Sequence, residues 1–198
     1  MTSSDDPASD LWMQQLGLLR QRVEEFASEA STQGGISCAQ GCNSCCHVDL
    51  AVTAIEAVCI QRAVERLPED TREGLQQRAS ALAKSRDSND PLPCVMLDET
   101  GSCTIYADRP MICRTQGLAL RYPIDFVPEE SLSARASDGS ALCWCPLCYT
   151  ESKPHRTAIL DAVKIDELLG IIDQGYRSGL AEEPAPRTLL RHLVVSKR

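Results

Sequence analysis

Apolar residues near the start of the chain return at steps of four and three: Trp12, Leu16, Leu19, Val23, Phe26 and Ala30. That spacing follows the 3.6-residue turn and predicts a helix over residues 10–32 with one apolar face, a core face or a seam for a partner helix. Gly17 weakens it by about 1 kcal/mol relative to alanine. Gln33-Gly34-Gly35 ends it, and residues 1–9 are polar and expected to fray. Thr53-Ala54-Ile55-Glu56 has the form of a capping box opening a second helix, which Pro68 stops after Leu67. Ile55, Cys59, Ala63 and Leu67 share one side of it, so Cys59 reads as a small buried apolar residue and not a ligand. A third helix is expected from Asp70 to Arg86, with Leu75, Ala79 and Leu82 inward, followed by a loop over residues 87–91.

The periodicity then fades. Asp98-Glu99-Thr100-Gly101-Ser102 reads as a turn between two short extended pieces, Cys94-Val95-Met96-Leu97 and Cys103-Thr104-Ile105-Tyr106. Residues 121–142 are polar, contain Pro123 and Pro128, and read as a long loop or a lid. Helical spacing returns with Leu168, Leu169, Ile171, Ile172 and Tyr176, predicting a helix from Ile165 to Arg177. A short terminal helix is expected around Leu189, Leu190, Leu193 and Val194. The predicted fold class is mainly α. Helices pack around an irregular cysteine-rich metal-binding segment with at most short strands. The whole is one domain, 1–198, with an N-terminal helix (10–32), a cysteine core (38–148) and C-terminal helices (155–198). No internal repeat is visible.

Composition changes the picture at one point, the cysteines. The chain has 198 residues, is 43% hydrophobic and contains eleven cysteines. It can bury a core without disulfides. No basic, apolar leader opens the sequence and no run approaches the ~18 apolar residues of a membrane span, so a cytoplasmic protein is expected. A reducing compartment keeps thiols free, and an odd count leaves one over in any full disulfide scheme. The net charge of −8 argues against nucleic-acid binding and against an anionic membrane surface. No protein partner is legible.

Cys38-Ala39-Gln40-Gly41-Cys42-Asn43-Ser44-Cys45-Cys46-His47 places four cysteines and a histidine within ten residues. Thiolates are soft ligands for zinc, iron and iron–sulfur clusters, and glycine at 41 permits the tight turn that makes neighbouring thiols converge. Adjacent cysteines diverge, so Cys45 and Cys46 suggest two sites or one multinuclear site. The eleven cysteines less Cys59 leave ten, enough for two four-thiolate sites. Cys143-Trp144-Cys145-Pro146-Leu147-Cys148 forms a further group. Arg109 and Arg114 flank Cys113 and are placed to donate hydrogen bonds to sulfur. His47 reads as a neighbour of the ligands, while His155 and His192 carry no signal. Cys-x3-Cys-x2-Cys also matches the cluster motif of radical S-adenosylmethionine enzymes, but the short helical chain does not suit their larger barrel. No Gly-rich nucleotide loop is present.

The ordered set of Gly41-Cys42-Asn43-Ser44-Cys45-Cys46, Cys94-Val95-Met96-Leu97-Asp98, Gly101-Ser102-Cys103-Thr104-Ile105-Tyr106 and Arg109-Pro110-Met111-Ile112-Cys113-Arg114 resembles the CxxCxxCC cysteine-cluster family of zinc- or iron-chelating proteins. Here the first gap is one residue longer, and Met96 replaces an aromatic. The resemblance implies metal ligands at Cys38, Cys42, Cys45, Cys46, Cys94, Cys103, Cys113 and Cys145. Flagellin lysine N-methylases are similar in this cysteine region, which implies an iron–sulfur cluster or iron as cofactor, with zinc as the alternative. Three functions follow: a metal-binding protein with a redox role, a structural zinc module for protein interaction, or a methylase-like enzyme with 121–142 as its lid. Metal storage or delivery is a further option. No acid–base pair or nucleophile stands apart from the thiols.

Overall fold

The computed structural model describes residues 7–84, 92–182 and 184–194. The expected loop over 87–91, the end of the third helix at Arg86 and most of the frayed N-terminus lie outside the described residues. About half of the chain is helical and about a tenth is strand. In chain order come α1 (Pro7–Thr32), β1 (Ala51–Thr53), α2 (Ala54–Glu65), α3 (Glu69–Lys84), α4 (Met111–Arg114) and β2 (Ala119–Tyr122). They are followed by β3 (Ala134–Arg135), β4 (Ala141–Cys143), β5 (Ile159–Asp161), α5 (Ala162–Ser178) and β6 (Arg187–Leu189). The chain forms two compact units. The first holds Met1–Cys38 and Met111–Tyr176, the second Ala39–Pro110 and Arg177–Arg198.

In the first unit the apolar stripe of α1 becomes core as its spacing demands: Leu16, Leu19, Val23 and Ala30 are buried, and Trp12 and Phe26 half-buried. Trp12 reaches α5 at Gly175, where a Cβ would stand 2.2 Å from a ring carbon, so only glycine fits there. A four-stranded sheet runs β3-β4-β2-β5. Leu120 of β2 stands opposite Cys143 of antiparallel β4 and Leu160 of parallel β5. Ala30, Leu118, Ala158 and Leu160 form a core beneath it. The Arg114 guanidinium of α4 is buried and pairs with Glu24 of α1 at 2.6 Å.

Short strands interrupt the stretch 121–142, which the sequence presents as one long loop. It supplies the second half of β2, all of β3 and the first two residues of β4, joined through 3-10 turns at Ile124–Phe126 and Glu129–Ser131. Pro123 and Pro128 immediately precede those turns, where their fixed φ is already suited. Asp138-Gly139 closes the β3–β4 hairpin: Asp138 accepts hydrogen bonds from the Ser140 N–H and hydroxyl, and the Ala136 N–H donates to the Ser140 carbonyl.

The α5 helix starts three residues before the expected Ile165. Asp161 caps it by accepting the Lys164 N–H at 3.2 Å. Leu169, Ile172 and Tyr176 are buried, but Leu168 and Ile171 are 47% and 59% exposed. Neighbours in sequence lie about 100° apart around a helix, so one face takes only one of each pair.

In the second unit the capping box is present. The Glu56 carboxylate reaches back to the Thr53 N–H at 3.3 Å and hydroxyl at 2.9 Å, and Glu56 is buried. Ile60, Ala63 and Val64 of α2 meet Leu75 and Ala79 of α3, with Val95, Met96 and Ile105, in the main core. Cys59 is half-buried, a partial correction to its reading as core. The two extended pieces around Asp98 meet at a single antiparallel bridge, Leu97 to Cys103, without growing into strands. The expected terminal helix is also corrected. Arg187–Leu189 forms β6 antiparallel to β1, and only Leu190–His192 turns, as 3-10 helix. Leu190, Leu193 and Val194 are still buried, so the hydrophobic reading held while pairing with β1 overrode the helical preference. Arg191 is buried and pairs with Asp49.

Candidate metal centre

The loop following residue 38 is built from tight turns. The Cys42 N–H donates to the Ala39 carbonyl at 3.0 Å, and the Cys46 N–H to the Asn43 carbonyl at 2.8 Å. Between them Gly41 takes φ +93°, the left-handed conformation expected of it. Two bonds then tie this loop to the segment after α3. The Cys94 N–H donates to the Cys46 carbonyl at 2.7 Å, and the Asn43 amide donates to the Gly101 carbonyl at 3.2 Å. The turn carrying Gly101 is held by Asp98, which accepts from the Thr100 hydroxyl and from the Thr100 and Ser102 N–H groups. The bridge from Leu97 to Cys103 sets Cys103 beside Cys94.

Four thiols of the second unit are thus gathered: Cys45, Cys46, Cys94 and Cys103. Burial pushes the Cys46 thiol up to about 12, with repulsion from Cys45 and Cys94, a hydrogen bond with Cys45 and repulsion from Cys103 adding to it. Burial likewise raises Cys94 and Cys103. Each of these two sulfurs also accepts a backbone N–H two residues on, from Met96 and Ile105, which favours the thiolate. Arg109 attracts a Cys103 thiolate and lies over the Tyr106 ring at 4.1 Å while donating to the Tyr106 carbonyl. The sequence places Arg109 beside Cys113, whereas the thiol it attracts here is Cys103. Arg114 pairs with Glu24.

The other expected ligands are placed as follows. Cys42 is exposed in the same loop, as is His47. Cys113 is half-buried on α4 and Cys143 ends β4, where its thiolate would act on Tyr122. In the first unit Cys38 and Cys145 pack against a small cluster of Ala119, Cys148 and Tyr149. No disulfide joins any of the eleven cysteines.

The donor set fits a soft cation. Four thiols lie near enough to act on one another electrostatically, two of them accept backbone N–H donors of the kind that orient and stabilise thiolate ligands, and an arginine offsets their charge. Among the described residues no three His, Cys, Asp or Glu side chains already stand at ligating separations.

A protein-family model matches residues 37–137, just over half of the chain, and carries the description "Putative zinc- or iron-chelating domain". The chain belongs to this CxxCxxCC family. Zinc or iron chelation is accordingly the property ascribed to the domain, and the CxxCxxCC match covers all four gathered thiols and Cys113. Cys143, Cys145 and Cys148 lie beyond it. No curated protein and no solved structure matches the chain. Among the described residues no helix is long and apolar enough to cross a membrane.

Proposed function

We propose that the protein binds iron, as an iron–sulfur cluster, through Cys45, Cys46, Cys94 and Cys103, and that the centre exchanges electrons. The carrying observation is that Cys46 interacts with Cys45, Cys94 and Cys103 on backbone held by the Cys94-to-Cys46 and Asn43-to-Gly101 hydrogen bonds. A cluster with several irons accommodates the diverging side chains of adjacent Cys45 and Cys46 better than one tetrahedral ion does. The cluster, when bound, supplies one-electron chemistry. The chain's own part is to hold the thiolates, shield Cys94 and Cys103 against the main core, and offset negative charge with Arg109. Eleven cysteines, an odd number kept for metal ligation, suit a reducing compartment such as the cytoplasm. Cys46→Ser is expected to remove most of the bound iron from anaerobically purified protein while far-UV circular dichroism stays native; full iron retention in that variant would sink the assignment.

One observation favours a structural zinc module as a second reading. Cys94 and Cys103 pack directly on the cluster containing Val95, Met96 and Ile105, so an ion there would staple the core. Zinc alone in the purified protein, with a melt that chelator lowers, would support it.

A further inference from the structure

The first unit contains its own group of thiols, separate in composition from the one just described. Cys145-Pro146-Leu147-Cys148 closes a tight turn, with the Cys148 N–H donating to the Cys145 carbonyl at 2.8 Å. Cys-x2-Cys on such a turn is the ligand spacing of structural zinc sites. The third thiol comes from the end of the segment after α1. A Cβ on Gly117 would stand 3.3 Å from the Cys38 sulfur and 3.7 Å from the Cys148 sulfur, so both sulfurs face one position and lie no farther apart than those distances combined. That Cβ would also come within 2.3 Å of the Cys38 Cβ, and Gly117 has φ +86°. Only glycine lets the chain bring Cys38 this close.

The residue after the turn is unusual. Tyr149 has φ +55°, the only non-glycine residue among those described with positive φ. Such strain persists where the surroundings over-determine it. Here the Tyr149 N–H donates to the Gly35 carbonyl, and its ring meets Trp144 edge-on at 5.8 Å between centroids. The two rings, with Ala119 and Ile159, form an apolar wall around Cys38, Cys145 and Cys148. Gly35 precedes Cys38 by three residues, so the strained turn clamps the two thiol-bearing segments together.

We propose that Cys38, Cys145 and Cys148 form a second metal centre, for a single divalent soft cation of the zinc type. It goes beyond the function proposed above, which concerns Cys45, Cys46, Cys94 and Cys103. Each thiol passes its proton to solvent as its sulfur binds the ion, with no change in oxidation state. Three chain thiolates form most of a tetrahedral shell, and the aromatic wall keeps water from the sulfurs. Cys38 thereby leaves the loop motif it opens in sequence and joins the C-terminal knuckle.

The test uses the full chain, stripped of metal under anaerobic reducing conditions, reloaded with zinc alone, and exposed briefly to an alkylating reagent before peptide mass spectrometry. Zinc is expected to slow modification of Cys38 and Cys145 at least about tenfold, since bound thiolates are poor nucleophiles, and a chelator should restore it. Both are half-buried in the metal-free chain, so protection is readable. Cys145→Ser with Cys148→Ser should lower bound zinc to about half, two filled sites becoming one, without changing protection at Cys45, Cys46, Cys94 and Cys103. Equal modification with and without zinc overturns the proposal, because it needs no folded variant. So does protection relieved by reductant and not by chelator, which identifies a disulfide. Protection at the four thiols of the second unit but not at Cys38 and Cys145 would remove this inference alone. A chain taking up neither zinc nor iron removes both readings.

Discussion

Leu75 shows how a residue of no chemical interest holds the thiols in place. It is fully buried between α3, α2 and the segment carrying Val95 and Met96. Cys94 precedes that segment directly, so loosening the core loosens the ligand backbone. Leu75→Ala is expected to destabilise the folded chain by about 2–5 kcal/mol through lost burial and the cavity left behind, read as a lower urea midpoint at unchanged slope. A loss under about 1 kcal/mol would mean the core there is not close-packed. Cys94 and Cys103 owe their raised thiol pKa first to this burial, which also makes them poor nucleophiles without a metal. Metal must therefore displace protons from the thiols, and loading should weaken as pH falls.

At the scale of elements, legibility followed the physics of each signal. The α1 face from Leu16 to Ala30 and the Thr53–Glu56 capping box were readable because helical period and capping are local. The small sheet was not, since strands of two to four residues carry too little alternation, and β2 and β5 pair across a long stretch of chain. One signal was present: aspartate–glycine at 138–139 is a strong hairpin marker, and it sits between β3 and β4. Terminal Leu189 to Val194 fits either helix or buried edge, and β1 decided it. Among candidate ligands, the grouping of Cys45 and Cys46 with Cys94 and Cys103 was expected only as members of one larger set. Partition of Cys38 into the first unit with Cys145 and Cys148 depends on Gly117 and Tyr149, whose backbone conformations no spacing rule reports.

The hairpin gives a prediction of its own. Hydrogen bonds from the Ser140 hydroxyl and N–H hold the Asp138 carboxyl below its ordinary 3.8. The unfolded chain then binds the proton more readily, so this contribution is complete above the ordinary carboxylate range and is lost as pH falls through the lower folded value. Asp138→Ala should lower the thermal midpoint at neutral pH and flatten its decline in acid. Parallel acid declines in variant and parent would contradict the assignment. The carboxylate is exposed to solvent, which keeps the effect small.

At the scale of the whole molecule, each compact unit carries its own group of thiols, and the thiols account for the most distinctive part of the sequence. Family membership ascribes zinc or iron chelation to residues 37–137. In the function proposed above, the four thiols of the second unit, with their N–H donors and Arg109, are the location of that property. The measurement that tests this most directly is metal and acid-labile sulfide analysis, with a visible spectrum, on protein purified anaerobically from cells supplied with both iron and zinc. The account predicts iron and sulfide together with broad thiolate-to-iron absorbance near ~400 nm that dithionite bleaches. Colourless protein with zinc and no iron would contradict the iron assignment, and protein free of both metals would contradict thiolate chelation itself.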